Sequence, residues 1–475
     1  MNFELYNPAE VGVNPLTVSK LLDMFIAGKL TANAMVMIRH NKVFCEFYRT
    51  PYKSGRYHCI ASITKSIVSI AAGFAVNKGL ININDNVIEY FPDIVKTTAN
   101  TNLNLMKIEH LLTMTSGQKN DGEFQGLGTG DVIKEFLLSI VPDRPGERFS
   151  YNTDGVNVLS QIIERASGVR FDKYVHERLF KPLDIENYIW ENETSGIVNA
   201  GFGLHLSARD LAKIGVFLLN RGKWNGKQLL SAEWIKQAGS ALCDNGKYGY
   251  GYLFWRQKPA GSFEANGQGG QHCIILPKED MVIVFFDAMG NTVDSIWDVL
   301  LPGLGNELSD SISGKSLKAK CDSIAIEIPQ GHKHNNIAEI VNGKKYALES
   351  NSLKITHISL DFDKYELTLY ENQKSCTCKI GFDEWIESET YADPNTACTQ
   401  HVCEIHSPVS IAGAWRDDVF HMKQVYTMMP MIDDMFVSFS TDGNEISIDF
   451  KRSDKCFFDP DRIIKGVASP NVIVT

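Results

Sequence analysis

The stretch Ser62-Ile-Thr-Lys-Ser-Ile-Val-Ser-Ile-Ala-Ala-Gly-Phe-Ala-Val-Asn-Lys-Gly79 decides how the chain is read. Its apolar run, Ile67–Val76, is too short to span a bilayer and predicts a buried helix from about Ser62 to Lys78, closed by Gly79. The three-residue spacing puts Ser62 and Lys65 on one face of that helix, within reach of each other. A serine at a helix N-terminus meets the positive end of the dipole, and nearby backbone N–H groups can steady an oxyanion. A lysine held in a dry pocket loses affinity for its proton and can act as a base. The pair could supply a nucleophile and its activator. The plainer alternative is a serine that only caps a helix, in an S-x-x-K that arises by chance.

Working outward, residues 33–49 alternate apolar and polar around His40-Asn41-Lys42, which predicts a β-hairpin. Residues 85–190 read as mostly helical, with loops rich in Gly and Asn. Helices are expected at Ile108–Met114, at Gly155–Ala166 with a stop at Gly168, and at Phe171–Leu179. Ser207-Ala-Arg-Asp210 has capping-box spacing and opens an amphipathic helix to about Asn220. Strands return at Gln271–Leu276 and Met281–Phe286, turned by Pro277-Lys-Glu-Asp280, and Trp297–Leu301 belongs to a closing helix. Strands, then helices, then strands make an α+β fold, with a helical region inserted into a sheet built from both ends of the domain.

Near Gly303–Lys320 Gly, Ser and Lys cluster and the helical pattern stops. Beyond it, Leu353–Phe362, Tyr365–Tyr370, Cys378–Phe382, Met435–Phe439 and Glu445–Phe450 are short alternating segments, the signature of an all-β sandwich or barrel. The boundary falls near residue 320, giving domains at 1–315 and 321–475. A chain of 475 residues is long enough for two or three.

A net charge of −10 argues against a nucleic-acid partner, which calls for a basic face. The N-terminus, Met1 to Pro8, has no basic region followed by an apolar stretch, so neither a signal peptide nor a membrane association is expected and the location expected is cytoplasmic. Of ten cysteines only Cys376 and Cys378 sit close together, and C-x-C lacks the paired spacing of a zinc site. Reduced thiols are expected, and no metal or organic cofactor is implied.

Two further segments bear on chemistry. Arg148-Phe-Ser-Tyr-Asn-Thr-Asp154 follows the turn-forming Pro145-Gly146 and places Tyr151 at a helix entrance. A phenol there is a proton carrier if a cation lowers its pKa, or equally a core tyrosine with a bonded hydroxyl. Asn266-Gly-Gln-Gly-Gly-Gln271 leads straight into an apolar strand. Its glycines allow backbone to approach a ligand, and the first strand N–H groups could serve an oxyanion hole. A flexible loop with a bulge is the other reading, and a phosphate cradle fits poorly because no G-K-[ST] follows.

Taken in order, these stretches resemble the serine β-lactamase and penicillin-binding-protein superfamily, on the branch with class C β-lactamases, related esterases, D-aminopeptidases and 6-aminohexanoate-dimer hydrolases. The similar segments are Ser62-Ile-Thr-Lys65, Leu111-Leu-Thr-Met-Thr-Ser-Gly117, Pro145-Gly-Glu-Arg-Phe-Ser-Tyr-Asn152, Ser207-Ala-Arg-Asp-Leu-Ala-Lys213, Gly222-Lys-Trp-Asn-Gly226, Tyr248-Gly-Tyr-Gly-Tyr252 and Gly267-Gln-Gly-Gly-Gln271. They run collinearly over roughly residues 8–302. The resemblance implies a β-lactamase-like fold in which Ser62 forms an acyl-enzyme, Lys65 and Tyr151 share the general-base task, and the backbone N–H groups of Ser62 and Gln271 make the oxyanion hole. Asn152, Gln268, Gly269 and Gly270 would line the substrate site. The substrate would be a small ester, amide or peptide. A weaker likeness covers the C-terminal part: Gly381-Phe-Asp-Glu-Trp385 and Gly413-Ala-Trp-Arg-Asp-Asp418 look like pieces of the all-β, sometimes lipocalin-like, tail of similar hydrolases, with Trp385 and Trp415 as core residues.

Two departures matter. The family's Y-x-N has Thr153 in its third position, with Asn152 directly after Tyr151. The usual Lys or His of the third motif is Gln268, so the cation that attracts a substrate carboxylate is missing there. His272, nearby, is expected to be packed in its strand. A D-amino-acid peptidase is the nearest rival within the family, and a catalytically idle binding or regulatory protein the rival outside it. A charge-assisted hydrogen bond of the kind Gln268 forgoes contributes about 1.5–3 kcal/mol. Short-chain aryl esters should therefore be cleaved well and cephalosporins poorly. Gln268→Lys or Gln268→His should raise the relative kcat/KM on a chromogenic cephalosporin. A wild-type preference for the cephalosporin would refute the argument, as would a charge supplied by Lys247 or Arg256.

Overall fold

The computed structural model describes residues 3–95, 101–119, 130–193, 195–288, 292–305, 312–371, 374–390, 407–452 and 463–469. They form two compact units: residues up to 48 together with 54–323, and residues 49–53 together with those from 324 onward.

The first unit opens with α1 (Pro15–Ile26) and the expected hairpin, β1 (Ala34–Arg39) and β2 (Lys42–Tyr48), turned by His40 and Asn41 at φ 52° and 58°. A short β3 (His58–Cys59) leads to α2 (Ile63–Asn77). Helices α3 (Thr101–Leu105), α4 (Ile108–Leu112), α5 (Val132–Leu138), α6 (Asp154–Ser167) and α7 (Phe171–Val175) follow. Of the expected Gly- and Asn-rich loops, segments 96–100 and 120–129 lie outside the described residues. The helix expected over Phe171–Leu179 widens into a π turn at His176–Phe180. Next come β4 (Ile189–Trp190), β5 (Leu204–Leu206), α8 (Ala208–Leu219), the small hairpin β6 (Lys223–Trp224) and β7 (Lys227–Gln228), and α9 (Ala232–Ala238). The unit ends with β8 (Trp255–Arg256), β9 (Phe263–Gly267), β10 (Gln271–Leu276), β11 (Met281–Phe286), α10 (Thr292–Ser295) and α11 (Gly314–Ser323). The expected loss of helical pattern through Lys320 is corrected by α11, whose Leu317 and Cys321, four residues apart, are buried; residues 306–311 lie outside the description.

The large sheet is antiparallel, in the order β2-β1-β11-β10-β9-β8. Its register sorts the side chains. Phe47, Met35, Phe285, His272 and Asn266 lie opposite one another and share one face; Ala34, Phe286, Gln271 and Gly267 share the other. Against the first face packs α1, with the Phe25 ring 4.9 Å from Phe47. Against the second pack α2 and α8. Gly215 lets α8 close in, because a Cβ there would stand 2.5 Å from Val282 Cγ1. Every residue of α2 from Ile63 to Ala75 is buried, as an all-round apolar helix requires. Each fully buried Ile, Val or Phe in this layer contributes roughly 1.5–3 kcal/mol.

The second unit has α12 (Asn336–Val341) and ten strands: β12 (Lys345–Leu348), β13 (His357–Asp361), β14 (Glu366–Glu371), β15 (Lys374–Lys379), β16 (Ile386–Thr390), β17 (Ser407–Arg416), β18 (Val419–Tyr426), β19 (Met431–Phe439), β20 (Glu445–Arg452) and β21 (Ile463–Ala468). They form one sheet, ordered β15-β14-β13-β12-β21-β20-β19-β18-β17-β16. Its two ends approach each other, with the Lys379 N–H donating to Ser388 Oγ at 2.9 Å, so the sheet is nearly a barrel. Near-closure hides edges that would otherwise pair with other chains. The expectation of a strand at Cys378–Phe382 is corrected to Lys374–Lys379. Trp415 is core, but Trp385 is only half-buried. Among the described residues of both units, no helix is long and apolar enough to cross a membrane. The described cysteines are free thiols.

Inside the near-barrel, Arg452 donates from Nε and Nη2 to Asp433 at 2.8 and 2.9 Å, with the two side chains 1% and 5% exposed. Breaking such a pair leaves an uncompensated buried charge. Arg452→Met should cost about 3–5 kcal/mol in a urea titration followed by tryptophan fluorescence, and adding Asp433→Leu should recover much of the loss.

Candidate active site

Ser62 stands at the N-cap of α2, and its side chain makes no capping bond there. The preceding residue, Ala61, has φ 46°, a left-handed conformation uncommon without glycine. That kink is pinned from three sides. Thr64 Oγ1 donates to the Ala61 carbonyl at 2.7 Å, the Leu204 N–H donates to Thr64 Oγ1 at 3.2 Å, and Ser66 Oγ donates to the Leu253 carbonyl at 2.6 Å. The backbone is thus bent to present a hydroxyl to the site instead of to its own helix.

Lys65, 1% exposed, donates from Nζ to Ser62 Oγ at 2.9 Å and to the Gly201 carbonyl at 2.7 Å. Tyr151, half-buried, is hydrogen-bonded to Ser62, and its ring centroid lies 5.1 Å from Lys65 Nζ. Burial pushes the phenol up to about 12, against the opposing effect of the Ser62 hydrogen bond. Lys65 does not bring the phenol down: at neutral pH Tyr151 keeps its proton. The rings of Tyr151 and Trp255 stack at 5.6 Å, and Tyr250 meets Trp255 edge-on at 4.9 Å.

Gly267 and Gln271 stand on the sheet face that meets α2. A Cβ on Gly267 would lie 2.4 Å from the Ile60 carbonyl oxygen, so the start of β10 is held close to the Ser62 kink. Gln271 Nε2 donates to the Asp287 carbonyl at 3.0 Å, turning the side chain into the sheet. In the turn between β9 and β10, Gly269 and Gly270 have φ 79° and 83°, and Gln268 is exposed. His272 points to the other face of the sheet. Its Nδ1 lies 2.9 Å from Glu264 Oε2 and its ring stacks on Phe285, the packed role its strand position implies.

Asn152 is placed differently from the other expected substrate contacts. Its Oδ1 accepts the Gly155 N–H at 2.8 Å and its Nδ2 donates to Gln118 Oε1 at 3.3 Å, so the side chain stabilises the entrance of α6. Arg256 donates to the Gly239 carbonyl at 2.7 Å, and Lys247 is exposed. Among the described residues, no group of three or more His, Cys, Asp or Glu side chains could hold a metal ion.

Sequence reasoning missed Gly201, Trp255 and Asp154. Asp154 stands in the segment that carries Tyr151. Burial, then Glu193 and Glu135, push its carboxyl up to about 7, while Lys65 pulls it down. Gly201 and Trp255 reach the site only through long-range packing, although Gly201-Phe-Gly203 ahead of a strand was a signal of close backbone approach.

Comparison with known proteins places the chain in a family and a fold. A family model described as Beta-lactamase matches residues 20–293, more than half of the chain. The 6-aminohexanoate-dimer hydrolase of Paenarthrobacter ureafaciens is 24% identical over 311 residues, 59% of this chain and 78% of that one. An uncharacterized protein of Alkalihalophilus pseudofirmus is 26% identical over 308 residues, 54% of this chain and 84% of that one. Among solved structures, EstCE1, a hydrolase with promiscuous acyltransferase activity, shares the fold with a TM-score of 0.50 at 14% identity, over 65% of this chain and 98% of that one.

The close approach at Gly267 is testable. Gly267→Val must push β9 and β10 away from Ile60 and Ala61. A displacement near 1 Å costs a reacting centre about 10²-fold. The variant should fold, as judged by circular dichroism, yet react with a fluorophosphonate at Ser62 about 10²-fold more slowly. Wild-type reactivity would mean that this edge takes no part in shaping the site.

Proposed function

Since the chain belongs to the β-lactamase family, we propose that it is a serine hydrolase that cleaves a small ester or amide through an acyl-enzyme on Ser62. One observation carries the reading: a buried lysine amine, 2.9 Å away, and a neutral phenol converge on the single oxygen Ser62 Oγ.

Because Tyr151 holds its proton up to about pH 12, the acceptor of the Ser62 proton in this mechanism is Lys65. With Lys65 in its uncharged amine form, which its dry setting favours, Ser62 Oγ attacks the substrate carbonyl and its proton passes to the Lys65 Nζ lone pair. The backbone N–H groups of Ser62 and Gln271 receive the oxyanion. Tyr151 gives its proton to the leaving oxygen or nitrogen and regains one from Lys65. Water then attacks the acyl-enzyme, and the proton transfers run in reverse. Gln268, Gly269 and Gly270 border the substrate as neutral groups, which favours an uncharged ester or amide over a carboxylate-bearing β-lactam. The Trp255 and Tyr250 rings beside Tyr151 suit an apolar or aromatic acyl or leaving group. The name of the Paenarthrobacter relative, a hydrolase of 6-aminohexanoate dimers, fits this class. A cytoplasmic location and a small-molecule partner belong to the same proposal, and a D-amino-acid peptidase is its nearest variant.

The test is covalent labelling. A fluorophosphonate should add its mass to the peptide containing Ser62, and Ser62→Ala should abolish it. Lys65→Ala and Tyr151→Phe should each lower aryl-ester turnover by about 10²-fold or more. Label on a different serine, or none, would overturn the assignment, and the second result would favour an idle scaffold. Near-normal turnover in Tyr151→Phe would take the phenol out of the mechanism.

A further inference from the structure

Two carboxyl groups near the site, Glu193 buried and Asp154 half-buried, have no part in the steps above. Asp154 opens α6, and Glu193 follows β4. Asn157, one turn along α6, joins Glu193 to the loop that holds Lys65. Its Nδ2 donates to Glu193 Oε1 at 3.4 Å, and its Oδ1 accepts the Ala200 N–H at 2.9 Å. The same loop is fastened from within, since Asn199 Oδ1 accepts the Gly201 and Phe202 N–H groups at 3.2 and 3.0 Å. Thr153 fills the space beside it: a Cβ on Gly201 would lie 2.4 Å from Thr153 Cγ2. The end of this chain of contacts is the Gly201 carbonyl, 2.7 Å from Lys65 Nζ.

We propose that Glu193 is a positioning residue for Lys65, acting through Asn157 and the Ala200-Gly201 peptide to hold the Gly201 carbonyl on the amine. The inference rests on the reading of Lys65 as the proton acceptor for Ser62. An acceptor fixed on one side of the amine leaves its remaining directions for Ser62 and decides which way the nitrogen points. Glu193 is also a titrating support. Burial first, and then the charge of Glu191, push it up to about 7, against the Asn157 hydrogen bond. Asp154, raised to about 7 as well, is its neighbour on α6; Glu135 on α5 and Lys65 on α2 are the other charges that act on Asp154. A carboxyl raised in the fold is most stable there when neutral. The stability it lends is therefore present at low pH and lost as pH rises through about 7. Above that pH the ionised Glu193 binds the Asn157 amide more tightly and adds negative charge behind Lys65.

The experiment uses the full chain with Glu193→Gln, which can still accept from Asn157, and Glu193→Leu, which cannot. Two quantities are followed from pH 5.5 to 9: the rate of fluorophosphonate labelling at Ser62, and the Lys65 ¹³Cε chemical shift in lysine-labelled protein, assigned with Lys65→Arg. Glu193→Leu should label about tenfold more slowly, the loss expected for one hydrogen bond of about 1.4 kcal/mol. Glu193→Gln should restore the rate to within about threefold, as an amide oxygen replaces the carboxyl oxygen that accepts from Asn157. The wild-type labelling rate and Lys65 shift should inflect near pH 7, and in both variants that inflection should shrink. A Glu193→Leu protein with wild-type labelling and a wild-type Lys65 titration would overturn the proposal. If Glu193→Leu fails to fold, the Lys65 titration of Glu193→Gln decides alone, and an unchanged curve overturns it. If wild-type Ser62 takes no label, the catalytic reading fails, and the Lys65 titration still decides whether Glu193 is coupled to the amine.

Discussion

A lysine amine sealed from water must find hydrogen-bond acceptors, and much of the first unit is arranged to supply Lys65 with two. One is Ser62 Oγ at 2.9 Å and the other the Gly201 carbonyl at 2.7 Å. To offer the first, the chain adopts a left-handed residue at Ala61 and leaves Ser62 without a capping bond. To offer the second, the loop between β4 and β5 folds back on Asn199 and Asn157 and omits the side chain at position 201. Polar requirements of one side chain thus explain features spread over some 140 residues, as the sequence separation of 136 between Lys65 and Gly201 illustrates.

The apolar scaffold makes that arrangement rigid. α2 is buried on all sides between the sheet and α6, so the first turn that carries Ser62 and Lys65 cannot rotate without disturbing the core. The sheet register places Gly267 and Gln271 against that turn and sends His272 to the opposite face, where it pairs with Glu264. A one-residue slip would exchange the two and bring an imidazole to the site in place of a backbone edge. The acidic groups Asp154 and Glu193 are the exception to this apolar setting. Their unusual basicity reflects it: there is too little water nearby to stabilise two negative charges.

How much of this was legible beforehand depends on how local the signal is. Ser207 caps α8 through the Asp210 N–H at 3.1 Å, as its capping-box spacing implies, and Gly168 ends α6 with φ 68°. β10 and β11 have the limits that their apolar, β-branched runs suggest. Signals failed where packing overrode pattern. β17 contains Pro408 and Gly413, poor strand formers, yet it pairs along most of its length because neighbours on both sides supply the ladder. α11 has a polar sequence and is helical because Leu317 and Cys321 find a surface to bury against. Trp385 was expected in the core from the likeness of Gly381–Trp385 to the all-β tail of similar hydrolases, and is half-buried.

The sequence by itself determined that Ser62 and Lys65 share the first turn of a buried helix, that Tyr151 stands at a helix entrance, and that a glycine-rich turn precedes an apolar strand. Each follows from helix geometry, strand periodicity or turn chemistry acting over a few residues. Only the tertiary structure decided that Trp255 stacks on Tyr151, that Gly201 accepts from Lys65, and that Glu193 reaches this loop through Asn157. It also decided that the phenol of Tyr151 is pushed up and not down. These depend on which distant segments exclude water from one another, and burial of that kind is a property of the assembled layers and not of any short stretch of chain.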